Sequence, residues 1–226
     1  MDRPADRAHQ AFLSLRSAIV EAALPPGTRL PEDVLAQQYG VSRTLVRGTL
    51  ARLTAAGLVE TGKAKSALVA NPSLTEAKET FQVRRCLERE AVRGIASRWQ
   101  PPMGDALGAH VERERAAAAT RNQQVSGRLG AEFHILLAEL SGNALLERYL
   151  SEVVWRCALI LAIHGRDHDQ SGSVDEHASL VELLAAGDVQ GAEALVVQHV
   201  AAVEERTLTD VGHDQRLDLT AVLSRY

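Results

Sequence analysis

The chain has 226 residues, with 25 lysines and arginines against 29 aspartates and glutamates, and a net charge of −4. Hydrophobic residues make up 46% and aromatic residues 4%, which favours one large or two small globular domains rich in helix. No apolar run is long enough for a membrane span or a signal peptide, so we expect a cytoplasmic protein without membrane association. Two cysteines, Cys86 and Cys157, offer no disulfide framework, and we interpret both as small buried hydrophobic residues.

The charges are distributed unevenly along the chain. Residues 1–72 carry 9 basic and 6 acidic residues, a net charge of +3, whereas the remainder carries 16 and 23, a net charge of −7. The acidic total therefore does not exclude nucleic acid as a partner of the first part. The pattern changes at Pro72, which limits helix continuation, and Ser73 can cap a new helix. We predict a first domain at 1–72, a second at 73–210 and a polar tail at 211–226.

The first 72 residues begin with the pattern of two short helices. Apolar residues at helical spacing predict a first helix that stops at the turn Leu24-Pro25-Pro26-Gly27. A second helix begins near Pro31 and ends at Gly40, a residue that readily adopts a left-handed cap. The residues of this second helix that we expect to point inward are Val34, Leu35 and Tyr39.

A third helix follows, with Ser42 as its predicted N-cap and Gly57 after its end. Its inward stripe is formed by Val46, Leu50 and Leu53. Its opposite side exposes arginine and threonine near the start of the helix. Two short strands, at 58–60 and 67–69, then flank a basic loop.

Two helices, a tight turn, a third helix with arginine at its start and a basic hairpin are typical of a winged helix-turn-helix domain. The start of the third helix directs backbone N–H groups and a positive dipole towards a phosphate, and arginine can bind guanine or neutralise a phosphate. The candidate DNA-binding residues are Ser42, Arg43, Thr44, Arg47, Lys63 and Lys65. The alternative is a helical subdomain whose surface arginines are only solvated.

This region resembles the DNA-binding domain of GntR-type bacterial transcription regulators. The resemblance covers about residues 10–70 and rests on the turn at 24–30, on Gly40-Val41-Ser42-Arg43-Thr44, on Val46-Arg47 and on Gly57-Leu58-Val59. It implies that the partner is double-stranded operator DNA and that the chain forms a homodimer. The chain departs from the family pattern at three places. The family usually has Pro where Leu45 stands, Glu-Ala where Gly48-Thr49 stand, and Gly where Ser66 stands.

From Leu74 onward, apolar residues at helical spacing predict six helices. The breaks between them include Gln100-Pro101-Pro102, Ser141-Gly142-Asn143 and Gly187-Asp188. Six such helices form an antiparallel bundle that can enclose a cavity as well as a core. The predicted fold class is mainly α, with an N-terminal winged helix-turn-helix followed by a C-terminal antiparallel all-helical bundle.

Three histidines, His134, His177 and His199, lie on apolar stripes of three different predicted helices. A buried imidazole without partners is costly, so each histidine needs hydrogen bonds or a metal ion. Two alternatives are open for these histidines: each is hydrogen-bonded within the core, or the three share a divalent metal ion. The other histidines lack this placement, and we interpret them as surface residues: His9, His110, His164, His168 and His213.

The same part of the chain resembles the FCD ligand-binding domain of the FadR/VanR branch. The resemblance rests on residues 81–88, on Glu132-Phe133-His134 followed by Ser141-Gly142-Asn143, and on Glu176-His177 with His199. It implies a divalent metal, often zinc, held by one aspartate and three histidines, with a small carboxylate effector beside it. The three histidines correspond to His134, His177 and His199, whereas Gly130 occupies the position of the aspartate.

Loss of the aspartate leaves three neutral imidazoles, which can bind zinc with a position left for water or an anionic effector. A site without metal, in which polar side chains bind the effector, is the alternative. Arg84 is the candidate for the effector carboxylate, and a pair with Glu88 one helical turn away is the alternative for its role. We therefore predict a transcription regulator controlled by a small carboxylate, with repression as the commoner mode of the family. The remaining alternatives are an effector-blind DNA-binding protein and a metal-dependent enzyme.

Overall fold

A computed structural model describes residues 4–61, 66–120, 122–165 and 171–208. The described ranges form α1 (Pro4–Val20), α2 (Glu32–Tyr39), α3 (Arg43–Ala55), β1 (Val59–Thr61), β2 (Ala67–Val69), α4 (Leu74–Ala96), α5 (Pro101–Ala119), α6 (Gln123–Leu140), α7 (Ala144–His164), α8 (Ser171–Ala186) and α9 (Val189–Leu208). The predicted mainly helical fold class is confirmed. Lys63, Lys65, His168, His213 and the predicted tail at 211–226 lie outside the described residues.

Helices α1 to α3 and the β1–β2 hairpin, here called the winged-helix part, share one apolar core. The Ser42 hydroxyl accepts a hydrogen bond from the Leu45 N–H at 3.3 Å, which caps α3 as predicted. The hairpin is antiparallel, with Val59 opposite Val69. The prediction that Val34 points inward is wrong, because it is 56% exposed while its neighbour Leu35 is buried. A helix of only eight residues buries a narrow stripe, and Val34 lies beside that stripe.

Helices α4 to α9 form the predicted six-helix bundle, with α4 packed against α9, α7 and α6. The Ser73 hydroxyl caps α4 by accepting a hydrogen bond from the Glu76 N–H at 3.2 Å. Cys157 is buried as expected, whereas Cys86 is exposed, which corrects the prediction for that residue. Cys86 lies off the inward stripe of α4, which passes through Phe81.

Contacts from α7 and α6 join the bundle to the winged-helix part. Trp155 of α7 is buried in the core of the winged-helix part, and the Arg16 guanidinium lies 4.0 Å from the centre of its ring. Arg156, the next residue, donates a hydrogen bond to the carbonyl oxygen of Gly57, just after α3, and pairs with Glu76 at the start of α4. Residues of α7 therefore contact residues on both sides of position 72. The division into two domains at residue 72 stays a prediction.

Candidate functional site

Three histidines from three helices converge inside the bundle. His134 on α6, His177 on α8 and His199 on α9 are buried, and their candidate ligand nitrogens lie within 4.8 Å of one another. The Nε2 atoms of His177 and His199 are 3.3 Å apart. The ring of Phe133 stacks on His177 with 4.0 Å between the ring centres, which restricts rotation of that imidazole. The histidines thus meet as expected from the sequence, while metal binding stays a prediction.

Carboxylates lie behind the histidine rings. His177 Nδ1 lies 2.7 Å from Glu114 Oε2, and His199 Nδ1 lies 2.6 Å from Glu176 Oε2. A carboxylate at Nδ1 fixes the ring orientation and leaves Nε2 as the nitrogen that can bind a metal ion. Glu114 and Glu176 were not predicted from the sequence as partners of the histidines.

Arg84, Glu88 and His134 form a buried row between α4 and α6. Arg84 Nε donates to Glu88 Oε1 at 2.5 Å, and Glu88 Oε2 lies 2.7 Å from His134 Nδ1 without hydrogen-bond alignment. Arg84 is only 4% exposed and Glu88 is fully buried. The pair that we considered as the alternative role of Arg84 is therefore present. Arg84 also lines the cavity described below, so its contact with an effector stays a prediction.

Burial keeps two of the histidines in the neutral form. It lowers the pKa of His134 well below the ordinary value for histidine. It also lowers the pKa of His199 to about 4, although the hydrogen bond with Glu176 opposes this shift. Both imidazoles are therefore neutral at pH 7, and the neutral ring is the form that binds metal ions.

His110 is a fourth buried histidine, and its assignment to the surface is wrong. It is 2% exposed, and its Nε2 lies 2.9 Å from the carbonyl oxygen of Leu129 and 3.3 Å from Glu114 Oε1. Burial alone would raise the pKa of Glu114, but the ring nitrogens of His110 and His177 lower it to about 2. Its position three residues after the apolar Leu107, on the same face of α5, was a signal for this burial.

A cavity of about 260 Å³ opens beside the three histidines. Gly127, Gly130 and Ala131 of α6 line it together with His134. A Cβ atom added at Gly130 would meet no atom within 4 Å, so a side chain there would have free space. The position where the family resemblance implies an aspartate therefore has open space for a Cβ atom and lines the cavity.

The start of α3 exposes the predicted DNA-binding residues that the structure describes, which are Ser42, Arg43, Thr44 and Arg47. Glu32, at the start of α2, binds two of them: Arg47 Nε lies 2.9 Å from each carboxylate oxygen, and Arg43 Nε lies 3.6 Å away. The hydrogen bond from Arg47 holds the pKa of Glu32 below its ordinary value. Glu32 was not among the residues predicted from the sequence. The contacts of these residues with DNA stay a prediction.

Residues 7–69 match the bacterial regulatory proteins of the gntR family, and residues 79–202 match the FCD domain. The chain belongs to the GntR family of bacterial regulators. This GntR regulator is 28% identical over 184 residues to a repressor named for the D-xylose utilization operon of Paenarthrobacter nicotinovorans, with 81% of each chain covered. It is 26% identical over 219 residues to the Uxu operon transcriptional regulator of Escherichia coli K12, with 86% of this chain and 84% of that one covered.

Solved structures share its fold. A GntR transcriptional regulator from Rhodococcus sp. RHA1 gives a TM-score of 0.77 at 21% identity, with 91% of this chain and 99% of that chain covered. Escherichia coli McbR/YncC gives 0.75 at the same identity and coverage. The GntR regulator is a DNA-binding transcription regulator, and the enzyme alternative is rejected because the family and relatives are regulators. Among the described helices, none is long and apolar enough to cross a membrane.

Proposed function

We propose that the GntR regulator is a homodimeric repressor whose winged-helix part binds an operator and whose bundle binds a divalent metal ion with a small carboxylate effector. The observation that carries the effector part is the cavity beside three buried histidines whose ligand nitrogens converge. Repression is supported by the relative that is named as a repressor. The predicted division fits this scheme, with DNA binding in 1–72 and effector binding and dimerisation in 73–210.

The donor set suits zinc or a similar ion. Three imidazoles with carboxylates behind their Nδ1 atoms are a common arrangement for such ions, and His134, His177 and His199 would hold the ion. The ion supplies a positive charge that attracts a carboxylate. Because Gly130 provides no fourth ligand, the effector carboxylate is suited to the remaining position, with Arg84 beside the same cavity.

Thermal unfolding with and without zinc tests the metal site. At a zinc concentration 100 times the Kd, binding stabilises the fold by about 2.7 kcal/mol, which raises the Tm of a chain of this size by roughly 5–10 °C. His199→Gln should abolish this gain, because two histidines hold zinc weakly. His9→Gln is the control, since His9 is exposed on α1 and should leave the gain intact. A full zinc response in His199→Gln would contradict the assignment.

The DNA-binding surface in this proposal consists of the start of α3 and the wing. Arg43, Thr44 and Arg47 are exposed at the end of α3 that carries its positive dipole, and Ser42 caps that end. Lys63 and Lys65 are assigned to the wing from the sequence alone. In a homodimer, two such helices read half-sites about one helical turn apart.

Arg47→Ala should weaken operator binding about tenfold or more, because it removes a side chain that can bind two acceptors of guanine. The operator is first selected from random duplexes, and affinity is then measured by fluorescence anisotropy. Arg52→Ala is the control, since Arg52 lies on the same helix but its guanidinium stacks 3.8 Å from the centre of the Phe12 ring. Equal weakening by both substitutions would indicate a general charge effect and contradict the assignment of Arg47.

A further inference from the structure

The bundle does not enclose the effector cavity by itself. Val20, at the end of α1, and the two residues that follow it, Glu21 and Ala22, line the same cavity as the three histidines. Ala22 has a φ of +57°, and it is the one non-glycine residue with positive φ in the described part of the chain. Such a conformation persists when surrounding contacts impose it, so the chain turns sharply at the point where it meets the bundle.

Arg128 of α6 binds two carboxylates, one from the winged-helix part and one from the bundle. Its Nε donates to Glu21 Oε1 at 2.7 Å, and its Nη1 donates to Glu132 Oε1 at 2.8 Å. The two glutamate side chains are equally accessible, each about one quarter exposed. Glu21 lines the cavity, whereas Glu132 is not among the residues that line it. Glu21 therefore contributes to the cavity wall from the winged-helix part, while Arg128 binds its Oε1.

Residues along helix α6 line the cavity. Arg128 and His134 are six residues apart on this helix, which corresponds to about 9 Å along its axis. The wall between these levels is formed by Gly130 and Ala131, whose small size leaves the space open. A ligand whose carboxylate lies at the histidines therefore has open space along α6, in the same cavity that Glu21 lines.

We propose that Glu21 belongs to the effector site and selects acids with hydrogen-bond donors, hydroxyl or ammonium, at the end remote from their carboxylate. A glutamate carboxylate only accepts hydrogen bonds, so it pairs with such donors and gains nothing from a methyl end. Gln123 and Gln124 line the same cavity and add polar groups. The inference rests on the proposed function for the position of the ligand carboxylate. It places the effector in direct contact with the winged-helix part.

Three six-carbon monocarboxylates serve as matched probes of this selectivity. Hexanoate ends in a methyl group, 6-hydroxyhexanoate in a hydroxyl and 6-aminohexanoate in an ammonium group, and the three chains are otherwise identical. Each acid is titrated into the zinc-loaded regulator, and the apparent Kd is obtained from thermal unfolding. In the wild type, 6-hydroxyhexanoate or 6-aminohexanoate should bind at least about tenfold tighter than hexanoate. Glu21→Leu should remove about this tenfold preference, because the hydrogen bond to a charged acceptor is lost.

Glu132→Leu is the matched control, because Glu132 shares the Arg128 partner and the degree of exposure of Glu21. Loss of the preference in Glu21→Leu alone supports the inference. An equal loss in both variants, or an unchanged preference in Glu21→Leu, overturns it. If the wild type binds hexanoate as tightly as the other acids, the inference fails while the carboxylate site stands. If the wild type binds none of the three acids, the proposed carboxylate effector fails and this inference fails with it.

Discussion

Glu88→Ala should lower the free energy of unfolding by about 3–5 kcal/mol, because it leaves the buried Arg84 guanidinium without its partner. Arg84 and Glu88 are almost completely buried, so bulk water does not reach the guanidinium freely when the carboxylate is lost. The substitution also removes the carboxylate beside His134 Nδ1. Urea unfolding followed by circular dichroism measures the effect.

Two further variants test whether the loss of stability comes from the buried pair of Arg84 and Glu88. Glu90→Ala is the control, since Glu90 lies on the same helix, is 61% exposed and stands 3.7 Å from Arg93, so its loss should leave stability close to that of the wild type. The double substitution Arg84→Met with Glu88→Leu removes both charges and should recover most of the lost stability. If Glu88→Ala unfolds at the same urea concentration as Glu90→Ala, the buried pair does not stabilise the fold in this way.

Gly130→Asp should tighten zinc binding at least about tenfold, which is roughly 1.4 kcal/mol, because it supplies a fourth ligand to a three-histidine site. The position lines the cavity one helical turn before His134, and a Cβ there meets no atom within 4 Å. Competition with a chromophoric chelator gives the Kd for zinc. The same substitution should reduce the extent to which added acetate improves zinc binding, because the aspartate takes the position open to an anion.

Gly127→Asp is the matched control for this experiment. Gly127 lines the same cavity and has equally free space at its Cβ, but it lies two helical turns from His134. Gly127→Asp therefore adds the same charge to the cavity at a position farther from the histidines. A similar gain in both variants would indicate general attraction of the cation, and no gain in Gly130→Asp would show that this position does not face the metal site.

Much of the fold followed from local patterns. The caps at Ser42 and Ser73 and the six helices of the bundle could be predicted, since hydrophobic spacing and side-chain capping act within a few residues. The prediction that Cys86 is buried is wrong, because membership of a helical pattern does not fix which face a residue occupies, and Cys86 lies off the inward stripe through Phe81.

Only part of the candidate site could be predicted from the sequence. His177 and His199 could be identified because each interrupts an apolar stripe, but their carboxylate partners come from other positions along the chain. Glu114 lies 63 residues from His177, and no local pattern links the two. The contribution of Glu21 to the cavity depends on how α1 meets α6, which is a tertiary contact and leaves no periodic signal in the sequence.

The contact of Glu32 with Arg43 and Arg47 has a consequence for how the regulator finds its operator. In the DNA complex that we propose, a phosphate or a guanine would have to displace this internal carboxylate before it could bind the same guanidinium groups. Because either kind of DNA must displace the same carboxylate, the contact weakens the proposed binding to unrelated sequence and to the operator alike. In the proposed complex Glu32 therefore shortens the residence time on any DNA and makes release faster.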